Sequence, residues 1–168
     1  LTQAYKLGIE RFEKMLGNEF AKAVESMNNT STHIIVCGMG KSGLVGRKIS
    51  STLASTGTPS IFLHPAEAIH GDLGKVQKKS VVLLISYSGE TGEIIALIPA
   101  LKRLDVNIIA LTGVKNSTLA NLSDIVLDTS VDREACPLNL APTTSTMITM
   151  VLGDALAVSL MELKNFKQ

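Results

Sequence analysis

Two short segments of this sequence carry the residue types that hold an anion. Ser86-Tyr87-Ser88-Gly89-Glu90-Thr91 follows the apolar run Val81 to Ile85 and leads into the helical pattern Ile94 to Leu104. A strand that ends in hydroxyls and a glycine, and then opens a helix, turns backbone N–H groups and the positive end of the helix dipole toward one point. The hydroxyls of Ser86, Ser88 and Thr91 add directional hydrogen bonds, so the chemistry expected is recognition of a phosphate ester. No magnesium-binding carboxylate or lysine-bearing nucleotide loop accompanies the segment, so the phosphate reads as a handle on a small molecule and not as the reacting group. The plainer reading of the same residues is a helix cap, for which Ser and Thr are preferred anyway.

The second segment is Gly38-Met39-Gly40-Lys41-Ser42-Gly43, after the apolar run His33 to Cys37. It matches G-x-G-x-x-G literally, but a dinucleotide site also needs an acidic residue at the end of the next strand, where this chain has Phe62-Leu63-His64-Pro65. The P-loop reading fails as well, because Ile35 stands where its first glycine belongs. What remains is a tight glycine turn that delivers the ammonium of Lys41 and the hydroxyl of Ser42.

The elements that position these segments alternate. Tyr5, Ile9, Phe12, Leu16, Phe20, Val24 and Met27 recur every three or four residues and predict one amphipathic N-terminal helix over residues 1–30. Unbroken apolar strands are expected at His33 to Cys37, Ser60 to His64, Val81 to Ile85, Asn107 to Leu111 and Asp124 to Leu127, with helices between them, the first from about Ser42 to Thr56. Residues 31–168 thus predict a single α/β domain, a three-layer αβα sandwich around a five-stranded parallel sheet with right-handed crossovers. Ligands of such sheets bind beyond the carboxyl ends of the strands. The polar clusters fall there, including Pro142 with Thr143, Thr144, Ser145 and Thr146, a second hydroxyl-rich helix start.

Composition narrows the function. With 168 residues, 45% of them hydrophobic, the chain suits one substantial core. Sixteen basic and 15 acidic residues, well mixed, with four Phe and two Tyr, give no basic face or stacking platform, so no nucleic-acid partner is expected. Cys37 and Cys136 show no disulfide or metal spacing, which points to reduced thiols and a cytoplasmic protein. Met147 to Leu163 is apolar but carries Asp154 and Glu162, so it reads as a buried helix with no membrane partner. The chain opens at Leu1 without a charged-then-apolar leader, and it is expected to be a segment of a longer polypeptide.

Taken together, these residues resemble the sugar isomerase (SIS) family of phosphosugar-binding domains, over roughly residues 30 to 165. The S-x-S-G-x-T loop is that family's phosphate grip. Gly38 to Gly43, Ala54 to Pro59, His64 to Gly74 and Glu134 to Thr143 resemble motifs of its pentose-phosphate isomerases. The resemblance implies a flavodoxin-like SIS fold and the interconversion of D-ribulose 5-phosphate and D-arabinose 5-phosphate, on the path to the eight-carbon acid of bacterial lipopolysaccharide or capsule. It places functional weight on Lys41, His70, Glu93 and Glu134, and it implies a later histidine segment and a pair of CBS domains beyond Gln168. It also favours a homotetramer with sites built from several subunits, in keeping with the apolar surface of the N-terminal and Met147 to Leu163 helices.

Aldose–ketose isomerisation moves a proton between C2 and C1 through an enediol, which needs a base at carbon, an acid at the oxygens and stabilisation of the enediolate. Glu134 or His70 is the candidate for the carbon base or the ring-opening proton shuttle, Glu93 serves the hydroxyls, and Lys41 stabilises enediolate or phosphate charge. Plainer roles stand beside these: a solvated first-turn carboxylate for Glu93, an ion pair with Arg133 for Glu134, and a loop brace for His70. The backbone at Gly57 and Thr58, and the segment Ser130-Val131-Asp132, are expected to touch the sugar. His64 is expected near the crevice, as substrate contact or as one ligand of an inhibitory or regulatory zinc suggested by the resemblance. Catalysis itself is expected to require no cofactor. The alternative function is a phosphosugar-sensing module without catalysis.

Overall fold

The computed structural model describes residues 2–167. The N-terminal segment is two helices, α1 (Thr2–Met15) and α2 (Asn18–Asn29), and not the single one expected. Gly17 is extended (φ −129°, ψ −152°) and ends the first helix, so the apolar stripe loses its phase there. Phe12, Val24 and Met27 are buried, whereas Ile9 and Leu16 face outward.

The alternation then follows as expected: β1 (Ile34–Gly38), α3 (Gly40–Ser55), β2 (Ser60–Leu63), α4 (Pro65–Ile69), a 3-10 turn at Asp72–Lys75, β3 (Val81–Ile85), α5 (Gly92–Arg103), β4 (Asn107–Thr112), α6 (Thr118–Leu122), β5 (Ile125–Asp128) and α7 (Thr144–Leu163). The five strands pair in the order β2-β1-β3-β4-β5, all parallel, with Ile34 beside Val81 and Val81 beside Asn107. Every residue of β1 and β3 is buried, as unbroken Val, Ile and Leu runs require when helices cover both faces.

The two-residue period of the strands divides the core. Ile34, Val36, Leu83, Ile85, Ile109 and Leu111 pack with α2, α3 and α7, while Ile35, Val82, Leu84, Ile108 and Ala110 pack with α4, α5 and α6. The result is the three-layer αβα sandwich. Cys37 lies in the second layer, where burial pushes its thiol up to about 12 and leaves it an inert core residue. By length and composition α7 is apolar enough to cross a bilayer. Here Ile148, Leu152, Leu156 and Leu160, four residues apart, are buried in the first core layer. Burying side chains of this kind contributes about 1.5–3 kcal/mol each.

Candidate active site

With the strand order 2-1-3-4-5, the connections leaving β1 and β3 diverge to opposite faces and leave a crevice beyond their carboxyl ends. A cleft of about 480 Å³ lies there, on the α3 and α7 side, with Lys41, Ser42, Tyr87, Asp132, Glu134 and Asn139 among its walls. The first wall is the glycine turn between β1 and α3. A Cβ on Gly43 would sit 2.7 Å from the carbonyl oxygen of Gly38, so backbone meets backbone and a side chain cannot enter. This close turn holds Lys41 in the first turn of α3, exposed, at the positive end of the helix. A cation there opposes the helix dipole and strengthens the site's pull on an anion.

The facing wall is the irregular segment between β5 and α7. Glu134 is half-buried and its carboxylate is fully engaged: Oε2 accepts from Thr143 N (2.8 Å), Thr143 Oγ1 (3.0 Å) and Ser145 N (3.2 Å), and Oε1 accepts from Ser145 Oγ. Partial burial opposes ionisation, but the bonds from Ser145 and Thr143 outweigh it and hold the carboxyl below its usual value of 4.5. In place of the plainer alternative, an ion pair with Arg133, the carboxylate makes a capping interaction at the start of α7. Ala135 N donates to Thr143 Oγ1 (2.9 Å), Glu134 N donates to Asn139 Oδ1 (2.7 Å), and Asp132 pairs with Arg11 of α1 at 2.8 Å.

The hydroxyl segment between β3 and α5 is organised by its own hydroxyls and by backbone bonds to the next connection. Ser86 Oγ lies 2.7 Å from Thr91 Oγ1 and accepts from Gly89 N, and Ser88 Oγ accepts from Glu90 N. Thr91 occupies the N-cap position of α5 without bonding a helix N–H, so the plain helix cap is not what its hydroxyl does. Leu119 N donates to Gly89 O, and Gly113 N donates to Tyr87 O, so the segment is fastened to the β4–α6 connection. The Glu90 carboxylate accepts from Thr118 N at 2.6 Å, which lowers its pKa. Tyr87 reaches the other way: its hydroxyl accepts from Val131 N (3.3 Å) and joins the two segments.

Of the residues to which the sequence points, Lys41, Ser42, Val131, Asp132 and Glu134 line the cleft. Ser130 adjoins them, its N–H bonded to Asp128 Oδ1. Glu93, in the first turn of α5, and His64 and His70, which flank α4, belong to elements of the opposite helical layer. Of the four weighted side chains, Lys41 and Glu134 line this cleft and His70 and Glu93 are not among its walls. Gly57 and Thr58 precede β2 and lie at the amino end of the sheet, where Thr58 Oγ1 accepts from Lys164 Nζ (3.0 Å). Their expected sugar contact is not made in this chain's own cleft. Among the described residues no three His, Cys, Asp or Glu side chains gather to hold a metal, so no cluster of further ligands surrounds His64. Sequence reasoning missed Tyr87, Asn139 and Arg11; the exposed aromatic inside a hydroxyl loop was the one available signal.

Comparison with known proteins agrees with this architecture. A family model described as the SIS domain matches residues 27–159. The chain is 55% identical over 151 residues to the arabinose 5-phosphate isomerase KdsD of Pseudomonas aeruginosa, covering 90% of this chain and 46% of that protein. It is 51% identical over 159 residues to the arabinose 5-phosphate isomerase KpsF of Escherichia coli, covering 94% and 49%. The chain thus spans about half the length of the curated relatives it matches. Among solved structures, an Escherichia coli CFT073 protein in complex with arabinose 5-phosphate superposes with a TM-score of 0.90 at 40% identity, covering 99% of this chain and 91% of that one.

Proposed function

The chain belongs to the SIS domain family, and from that premise we propose that it is the isomerase domain of an enzyme interconverting D-ribulose 5-phosphate and D-arabinose 5-phosphate. The observation that carries the reading is the cleft at the β1 and β3 ends, where the ammonium of Lys41 faces a hydrogen-bonded carboxylate, on a chain about half identical to named arabinose 5-phosphate isomerases. The backbone-ordered segment Ser86 to Thr91 takes the phosphate, with Ser86, Ser88 and Thr91 as donors and the start of α5 as the positive pole. Removing the C2 proton of the aldose gives an enediol, and returning a proton to C1 while a proton passes from O2 to O1 gives the ketose. The balance needs no oxidant, and the ammonium of Lys41 can carry the enediolate charge, so this reading assigns catalysis to the side chains and gives zinc the role of an inhibitor or regulator. Lys41 stabilises the enediolate, and Ser42, Ser130, Val131 and Asp132 bound the sugar.

Assembly belongs to the same reading. His64, His70, Glu93, Gly57 and Thr58 lie outside the cleft of their own chain, so a homotetramer in which a neighbouring copy supplies some of them to this site would complete it. The exposed Leu44, Leu138 and Leu140 provide apolar contact surface. The protein works in the cytoplasm, in keeping with its two free thiols, and feeds the eight-carbon acid of lipopolysaccharide or capsule.

The test is proton NMR of arabinose 5-phosphate in D2O with the wild-type protein and with Lys41→Ala. Ketose formation and loss of the C2 proton signal are expected with the wild type, falling by about 10²–10³-fold in the variant. Binding of the sugar without exchange would favour the sensing module. Absence of binding would overturn the phosphosugar reading altogether.

A further inference from the structure

We propose that Glu134 is an ionised strut that shapes the cleft, not the group that takes the C2 proton, and that Thr143 and Ser145 are the positioning residues that hold it. This deepens the isomerase reading and rests on it for the proton in question.

Hydrogen-bond accounting comes first. A carboxylate offers about four lone-pair sites, and two N–H groups and two hydroxyls already approach this one. To accept a proton from carbon, Glu134 would have to release at least one of these donors and give up its charge beside the positive end of a 20-residue helix. An efficient general base has a pKa near the working pH, and every one of these contacts moves Glu134 the other way.

Helix α7 gives the second argument. Its first turn holds no acidic residue, and the Thr143 side chain at its N-cap position bonds no helix N–H. That hydroxyl instead donates to Glu134 and accepts from Ala135 N. The cap of the central core helix is therefore a carboxylate from nine residues upstream. The same contacts close residues 135–142 into a loop whose tip is largely exposed, with Leu138 and Leu140 at 75% and 77%. Asn139, Leu140 and Pro142 of that loop line the cleft. With the strut in place the wall stands, and without it the wall moves.

The test uses the full chain, arabinose 5-phosphate turnover, and backbone hydrogen exchange across residues 135–141. Ser145→Ala is expected to raise KM about tenfold while kcat falls less than about threefold, and to speed amide exchange in the loop about tenfold. Ser145→Thr should restore both. Glu134→Gln should give the same faster exchange, and the double variant with Ser145→Ala should cost less than the sum of the two, since both act on one hydrogen-bond cluster. The inference is overturned if Glu134→Gln cuts kcat by about 10² or more with KM and loop exchange unchanged, as loss of a general base would, or if Ser145→Ala alters neither KM nor exchange. Should the wild type turn over no sugar, the isomerase reading fails, and the exchange measurement still decides whether Glu134 braces the loop.

Discussion

The two loops that flank the crevice are held by opposite means. Residues 86–91 are short, lie between a strand and a helix, and are tied to the neighbouring β4–α6 connection by backbone bonds, Ser86 N to Leu111 O, Gly89 N to Ser86 O, Leu119 N to Gly89 O and Gly113 N to Tyr87 O, to which the Ser86, Tyr87, Ser88 and Glu90 side chains add others. Residues 129–143 form no helix or strand, and side chains hold them: Glu134 on α7, Asn139 on Glu134 N, and Asp132 on Arg11. A loop fixed by backbone keeps its shape under most side-chain changes but fails where the backbone itself needs a glycine. A loop fixed by side chains yields to single substitutions by graded amounts. The wall of the crevice formed by residues 86–91 is accordingly the more rigid of the two, and the wall formed by residues 129–143 is the more adjustable.

The sharpest way to break that comparison is Gly89→Ala. Gly89 has φ +67°, and a methyl group there would run into the Ser117 side chain, so the substitution brings both left-handed strain and a clash. Strain of this kind costs about 1–3 kcal/mol before the clash is counted. Phosphosugar affinity, measured by isothermal titration, should fall by about 10²-fold, since each 1.4 kcal/mol is tenfold. Affinity within threefold of the wild type would mean that the phosphate loop is not held by its backbone.

Much of this was legible in the residues. The fold follows from β-branched strand runs that admit little but a buried parallel sheet, and Ser86 to Thr91 is readable because strand, hydroxyl turn and helix stand in one continuous stretch. The glycine turn before Lys41 is local in the same way. Glu134 was harder. Its partners, Thr143 and Ser145, lie nine and 11 residues on, and only the folded loop brings them to it. Glu93 and His70 were harder to place for another reason: strand order and crossover side, not position in the chain, send α4 and α5 to the other layer. The carboxyl-end rule itself argued against Gly57 and Thr58, which enter a strand at its beginning. At Leu16 and Gly17 a regular three-to-four spacing concealed a helix break, because periodicity records faces and not continuity.

A smaller effect comes from titrating the side-chain-held loop. The folded pKa of Glu134 is lowered, so its contribution to stability is complete above its unfolded value near 4.5 and is lost as pH falls through the lower folded value. Thermal melts of the wild type and Glu134→Gln should differ most at neutral pH and converge as pH drops below about 4.5. A gap that persists unchanged to pH 3 would mean the carboxylate charge contributes nothing to the brace. Glu90 carries the same direction of shift but is fully solvent-exposed, and Glu90→Gln should show far less convergence.

The smallest expected effect tests where the second loop stops being adjustable. Arg11 and Asp132 form an ion pair with side chains 39% and 62% exposed, and such pairs are worth about 0–1 kcal/mol. Arg11→Ala should therefore change KM for arabinose 5-phosphate by less than about threefold, and the difference should vanish at about 0.5 M salt, where screening is nearly complete. Asp132 also faces the cleft, so the substitution is made on the α1 side to leave the lining intact. A larger, salt-independent change would place α1 among the elements that fix the sugar end, and the contrast between the two loops would then lie in how many helices brace each one, not in backbone against side chain.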